Sequence, residues 1–379
     1  MERVSLLTCK DYNPSALDAV IERHFHALDP HDFLIKPGMK VLIKPNLLMR
    51  RTPDEATTTH PAFVAALVRA VKKRGGVVTI ADSPGGPYTR AALRGIYAAT
   101  GMAEAAEKEG AALNETTDAV ERVNENGQRC RSFQIIRPVA EADVVISAAK
   151  LKTHAMTGFS GAVKNLFGTI PGLMKPEFHY RFPDKKDFGH MLVDLCETVR
   201  PTFAFIDGIV GMEGNGPSGG KPKAAGITGA ALNAHALDLV MARIIGFSAE
   251  EVPTLAAAIK RSLCPAEIGA LEIVGERAET LLTLFEKPDS ASLDFMENIR
   301  VPAFLRKPLK KLLTPRPVIV RSKCIGCGKC AESCPRHVIR IEQKKAHIAY
   351  TDCIRCFCCH EMCPVKAIDI HTFALFGSR

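Results

Sequence analysis

The chain has 379 residues, 46% of them hydrophobic and 24% charged, with a formal net charge of +9. That length holds two or more domains and a sizeable core, and the composition is that of an ordinary globular protein. No apolar run is long enough to span a membrane, and the opening Met1-Glu2-Arg3-Val4 reads as the start of a strand rather than an export signal, so a cytoplasmic protein with no transmembrane segment is expected.

Residues 1–299 read as one domain of alternating strands and helices. Val4–Thr8 is a short strand, and Asn13-Pro14 opens a helix to about Leu28, with Asn as cap and Pro in the first turn. A strand at Lys40–Ile43 leads to a helix over His60–Lys73, where Phe63, Ala66, Leu67, Ala70 and Val71 have helical spacing, and Gly75-Gly76 stops it. Val77–Ala81 is a strand, followed by Ala-rich helices near Thr89–Ala99 and Met102–Glu109. Strands follow at Phe133–Arg137 and Asp143–Ala148, helices at Ser160–Phe167 and Phe188–Val199, a strand at Phe203–Asp207, a helix at Ala236–Ile245 and a strand at Leu271–Val274. This order implies βαβ units: an α/β domain with a mostly parallel sheet covered by helices on both faces. Residues 276–300 show no clear period. Residues 300–317 carry six basic and no acidic side chains and read as a solvated linker, with a contact for an acidic partner or a membrane surface as the alternative.

Residues 318–371 hold two near-copies of one cysteine pattern. Cys324-x2-Cys327-x2-Cys330-x3-Cys334-Pro335 is repeated 29 residues later as Cys353-x2-Cys356-x2-Cys359-x3-Cys363-Pro364, and Val338-Ile339-Arg340-Ile341 is echoed by Ala367-Ile368-Asp369-Ile370. This is the bacterial two-cluster ferredoxin run, in which the fourth cysteine of each copy ligates the other cluster. The reading is therefore two [4Fe–4S] clusters in a small α+β ferredoxin-like domain. One set is Cys324, Cys327, Cys330 and Cys363; the other is Cys353, Cys356, Cys359 and Cys334. Zinc sites pair their ligands differently, and disulfide frameworks belong to small secreted domains. Cys358 has no counterpart in the first copy, and the repeat makes Cys359 the ligand. Residues 318–371 carry nine basic and five acidic side chains. Two oxidised cubes, each −2 with its four thiolates, cancel that excess, so the net charge is no signal for nucleic acid. Reduced thiols and oxygen-sensitive clusters fit an anaerobic or microaerobic cytoplasm. Residues 372–379 are read as a tail.

Polar motifs recur just after the strands of the first domain: Lys44-Pro45-Asn46, Asp82-Ser83-Pro84-Gly85-Gly86, Lys150-Leu151-Lys152-Thr153-His154, and Asp207-Gly208 leading into Gly211–Pro217. Ligands of open α/β sheets bind in the crevice outside the carboxyl ends of the strands. There is no GxGxxG after the first strand and no GxxxxGK[ST], so neither a nicotinamide cofactor in its usual seat nor a nucleoside triphosphatase is expected. These motifs, with Thr58-Thr59-His60-Pro61, Ala162-Val163-Lys164-Asn165-Leu166-Phe167-Gly168 and the Gly-rich 208–220 segment, resemble the DUF362 family over about residues 1–275. That is a domain of unknown function often joined to a two-cluster ferredoxin. The resemblance implies the architecture and an Fe–S redox context, and it brings no substrate.

The candidate catalytic residues are Lys150, Lys152, His154 and Lys164. Clustered ammonium groups suit a carboxylate or phosphate, and a histidine beside them suits proton donation during a reduction. Candidate substrate contacts are Lys44, Asn46, Thr58, Thr59, Ser83, Asn165, His179, Arg181, Asp207 and Glu213. The threonines precede a helix N-terminus, where free N–H groups favour anions, and Thr59 is alternatively a plain helix cap. Residues 172–190 read as a period-free lid carrying His179, Tyr180 and Arg181. Two functions are consistent with these residues. In one, an Fe–S oxidoreductase passes single electrons to an anionic small molecule in the crevice. In the other, a non-catalytic electron carrier or docking subunit serves a redox protein partner.

Overall fold

The computed structural model of the protein describes residues 1–290 and 315–371. The first strands are short and β-branched: β1 (Arg3–Thr8), β2 (Lys40–Pro45) and β3 (Val77–Ile80). Between them run α1 (Pro14–Leu28) and α2 (Pro61–Lys73). The Asn13 side chain accepts from Ser15 N–H to cap α1, as the sequence implies. Helix α2 is capped by His60, whose Nδ1 accepts from Ala62 N–H. Thr59, the alternative cap, instead accepts from Asn46 N–H and donates to Ala148 O. After α3 (Arg90–Ala99), α4 (Met102–Glu109) and the two-residue β4 (Ala112–Leu113), a hairpin of β5 (Ala119–Val123) and β6 (Ser132–Ile136), followed by the short α5 (Arg137–Glu141), stands apart from the main sheet.

Two strands build the centre and are longer than expected. β7 (Val144–His154) runs six residues past Ala148, and β9 (Phe203–Glu213) six past Asp207. The Lys-Leu-Lys-Thr-His segment reads as a loop because it is charged. Its period-two alternation is nonetheless that of a strand, and every residue of β7 is buried. The short β8 (Gly158–Ser160) folds back on β7, so only α6 (Ala162–Asn165) of the expected 160–167 helix is α-helical. Residues 172–190 are not a loop throughout: α7 (Met174–Arg181) and the start of α8 (Lys185–Val199) occupy them. The apolar residues of α7 do not repeat at helical spacing, which hid it. β10 (Lys221–Ala231), rich in Gly and Ala, lacked the β-branched signal of a strand.

The sheet order is β11-β1-β10-β9-β7-β2-β3-β4, with β11 at Glu272–Gly275. β10 runs against both neighbours, and the other pairs on this path are parallel. Helices cover both faces. On one, Leu17, Ile21 and Phe25 of α1 and Phe63, Leu67 and Val71 of α2 pack on Val41, Ile43, Ile146 and Phe205. On the other, α8 and α9 (Ala234–Ile244) pack on Leu42, Val145, Leu151 and Ile206. The architecture is the mostly parallel α/β sheet the sequence implies.

The C-terminal domain is two antiparallel ribbons. Arg316–Ile319 pairs with Ile368–His371, and Ile339–Glu342 with Lys345–Ile348. One-turn helices lie at Lys329–Glu332 and Cys358–Glu361. Arg316 and Pro317, read as linker, thus belong to the first ribbon; 300–314 and 372–379 lie outside the described residues. This domain sits on the carboxyl ends of the large sheet. Ser218 Oγ donates to Glu361 O at 2.8 Å, Arg51 donates to Cys363 O at 3.3 Å, and Lys366 faces Glu55 at 3.6 Å.

Candidate functional site

Strands β2 and β7 run parallel, so their carboxyl ends deliver Lys44, Lys152 and His154 to one place. Residues 152 and 154 share a face because the strand period is two. Lys164 and Asn165 come from the helix after β8, Asp82 and Ser83 from the turn after β3, and Lys175 and His179 from α7. They line a cavity whose remaining wall is Ser333, Cys358, Glu361 and Met362 of the C-terminal domain. The site is therefore built between the domains.

Its cations differ in how they are held. Lys44 Nζ lies 2.6 Å from Asp82 Oδ1 and also donates to Pro45 O and Asn165 Oδ1. Lys175 donates among four oxygens, of Ser83, Pro84 and Ile170. Lys152 donates to Asn46 Oδ1 at 2.9 Å and Thr57 O at 2.7 Å, with no carboxylate partner among the described residues. Burial pushes its ammonium down to about 7, and neighbouring Lys164 adds to this. Lys175 is likewise pushed down to about 7 by burial. Lys164 Nζ stands 4.8 Å from the Phe167 ring centroid and makes no hydrogen bond or ion pair among the described residues. Burial lowers its pKa, and Glu361 raises it. His154 is held well below the usual imidazole range by burial, then by Lys164, and is neutral.

The cysteines of the C-terminal domain line two further cavities. Cys324, Cys327, Cys330 and Cys363 surround one. Cys334, Cys353, Cys356 and Cys359 surround the other. Ala346 N–H and Ala367 N–H point at Cys324 Sγ and Cys363 Sγ at 3.4 and 3.1 Å. Four thiols with amides aimed at sulfur fit the donor set of an Fe–S cube. Cys358 lines the interdomain cavity, not either of these.

A profile for DUF362, a domain of unknown function, matches residues 41–243, more than half of the chain. The chain belongs to the DUF362 family. A 4Fe–4S dicluster domain matches residues 316–364, so this DUF362 protein carries an iron–sulfur domain of the ferredoxin type. A thylakoid-associated protein of Synechocystis sp. is 32% identical over 266 residues, covering 70% of this chain and 81% of that protein. A weak structural likeness to the lactate racemase apoprotein of Thermoanaerobacterium thermosaccharolyticum has a TM-score of 0.38 at 15% identity. It extends over 62% of this chain and 56% of the racemase, so the DUF362 protein spans little more than half of that molecule. No helix among the described residues is long and apolar enough to cross a membrane.

Of the residues named from sequence, the cavity brings together Lys44, Asn46, Ser83, Lys152, His154, Lys164, Asn165 and His179. Lys150 stands outside it. Its Nζ is held by Asp207 Oδ2 and the Tyr12 hydroxyl, both at 2.9 Å, and Asp207 also accepts from His60 N–H. Both groups thus belong to a separate buried network that ties β7 and β9 to the start of α2. Thr58 is buried nearby. Glu213 pairs with Lys223, and Arg181 lies over Phe178 and Phe182. Neither lines the cavity. His179 is buried, stacked on Phe188 with its Nδ1 3.2 Å from Met156 Sδ. Sequence reading missed Lys175, Glu361 and Met362. Lys175 lay in a stretch taken for a lid, and the other two lie between cysteines that drew attention only as ligands.

Proposed function

We propose that this protein is an iron–sulfur oxidoreductase in which two [4Fe–4S] clusters serve an anionic organic substrate bound between the domains. The observation that carries the reading is the makeup of that cavity. Lysines from the sheet ends form one wall, and the other is Ser333, Cys358 and Met362, each adjacent in sequence to an assigned ligand cysteine, with Glu361. Cys324, Cys327, Cys330 and Cys363 would hold one cluster, and Cys334, Cys353, Cys356 and Cys359 the other. When bound, such clusters supply electrons singly, at potentials within about −700 to +450 mV. Lys152 and Lys164 supply the positive charge that draws in an anion, and burial strengthens that attraction by excluding water. Lys152 Nζ can release and regain a proton near neutral pH, because its pKa is about 7. Reduced thiols and clusters suit a reducing cytoplasm, and an external one-electron carrier protein would exchange electrons with the chain.

The test is anaerobic. The reduced holoprotein is mixed with a panel of small organic anions, and cluster reoxidation is followed by visible absorbance. Saturable reoxidation by one anion, lost in Lys164→Met at unchanged iron content, supports the enzyme. If no anion reoxidises the clusters while a soluble ferredoxin does, the chain is an electron carrier and the reading fails.

A further inference from the structure

The unfilled hydrogen-bond valences of the cavity specify its ligand more closely than charge does. His154 Nδ1 accepts from the backbone N–H of Met156 at 3.1 Å and of Thr157 at 3.4 Å. A neutral imidazole whose Nδ1 accepts must carry its proton on Nε2. That Nε2–H is buried and has no hydrogen-bond partner among the described residues. Glu361 Oε1 is 3.3 Å away, too poorly aligned to accept, and it too is buried without a partner. Beside them half-buried Lys164 has no acceptor among the described residues, and Lys152 keeps one N–H of its three after Asn46 and Thr57 take two. Buried polar groups are almost always paired, so His154 Nε2–H and Glu361 Oε1 call for a ligand.

The charges narrow the class. Lys44 is matched by Asp82, and the hydrogens of Lys175 are taken up by four protein oxygens. Lys152 and Lys164 face one carboxylate, Glu361, and Lys175 donates only to neutral oxygens, so positive charge is left unmatched. A carboxylate of the ligand meets it, its two oxygens accepting from Lys152 and Lys164. A second oxygen is then needed beside His154 Nε2–H and Glu361 Oε1. A hydroxyl satisfies both, accepting from the imidazole and donating to the carboxylate; a carbonyl accepts from the imidazole only and leaves Glu361 Oε1 unpaired.

We infer that the cavity binds a small carboxylic acid bearing a second oxygen function, a hydroxy or oxo acid, with its carboxylate on Lys152 and Lys164 and its second oxygen at His154 Nε2–H, where a hydroxyl also reaches Glu361. This rests on the interdomain anion site proposed above and gives that site its ligand class. The specificity-determining residue is His154, and Lys164 is the general anion contact.

The test is calorimetric binding to the anaerobic oxidised holoprotein, with 2-hydroxybutyrate, 2-oxobutyrate, butyrate and inorganic phosphate as probes. The hydroxy or oxo acid is expected to bind at least tenfold tighter than butyrate and tighter than phosphate. His154→Asn keeps an acceptor near the Nδ1 position and removes the Nε2 donor. It is expected to shrink the preference over butyrate to less than threefold, while Lys164→Met weakens all the acids together. Circular dichroism and iron content check that both variants are folded. Butyrate binding as tightly as the hydroxy and oxo acids, or phosphate binding tightest, overturns the ligand class and leaves the anion site standing. If none of the four probes binds, the ligand class and the anion site fail together.

Discussion

Replacing Asp82 with Asn should destabilise the α/β domain and make its stability depend on pH in a defined direction. Lys44 and Asp82 are 2.6 Å apart with side-chain exposures of 0% and 3%, so water cannot take over if one partner is lost. The other Asp82 oxygen accepts from Leu47 N–H at 2.7 Å, a contact that the asparagine carbonyl retains. What is removed is the charge beside a buried ammonium. Breaking a buried pair in this way costs about 3–5 kcal/mol, against a total domain stability of about 5–15. At about 2–4 °C per kcal/mol this lowers Tm by ~6–20 °C. Burial already lowers the Lys44 pKa, and Asp82 is the group that raises it, so the variant lowers it further. Between that lowered folded value and the unfolded value near 10.4, the unfolded chain holds a proton that the folded chain does not. Stability of the variant should therefore rise with pH toward about 10 relative to the parent, and fall as pH drops toward the folded value. Adding Lys44→Met should recover most of the loss, because no charge is left unpaired. The chain has no tryptophan, so urea titrations followed by far-UV circular dichroism are the assay. A loss below ~1 kcal/mol, or a deficit that does not change between pH 7 and 10, would refute the reasoning.

The holoprotein should contain about eight irons and eight acid-labile sulfides. Cys334→Ala should damage the cluster of the second motif and Cys363→Ala that of the first, while Cys358→Ala keeps both; electron paramagnetic resonance distinguishes these outcomes, and a cluster lost in Cys358→Ala while Cys359→Ala keeps both would invert the register. Anion affinity should fall as pH rises through about 7, because Lys152 and Lys175, each pushed to about 7 by burial, lose the protons that attract the ligand; calorimetry at pH 6 and pH 9 reads this, and equal affinities would contradict it. A Cβ at Gly85 would collide with Met362 Sδ, so Gly85→Val should displace the Met362 side chain from the cavity wall and weaken anion binding at unchanged iron content; undiminished binding would show that Met362 contributes nothing to the site.

Much of the fold was legible because its signals are local. Asn13-Pro14 marks the start of α1, apolar spacing marks α2, and Gly75-Gly76 marks its end. The two cysteine sets were legible for a different reason: a sequence repeat states which positions correspond. The carboxyl ends of β7 and β9 were harder to read. Lys150 and Lys152 look like loop residues until it is known that Asp207, Tyr12, Asn46 and Thr57 receive them inside the protein. The same blindness joined Lys150 to a site it does not enter. Residues 150 and 152 share a face, but a register shift between β7 and β9 separates their surroundings. The half of the cavity contributed by Glu361 and Met362 was invisible, because docking of one domain on another leaves no periodicity in either.

The ribbon that joins Arg316–Ile319 to Ile368–His371 brings the entrance and exit of the C-terminal domain side by side. A unit with adjacent ends can be excised, permuted or supplied from another chain without threading anything through its core. Its hold on the sheet comes from surface contacts such as Ser218 with Glu361 and Arg51 with Cys363, none of which requires a covalent tether. A one-chain and a two-chain version of this protein would therefore differ by a gene fusion rather than by a change of fold.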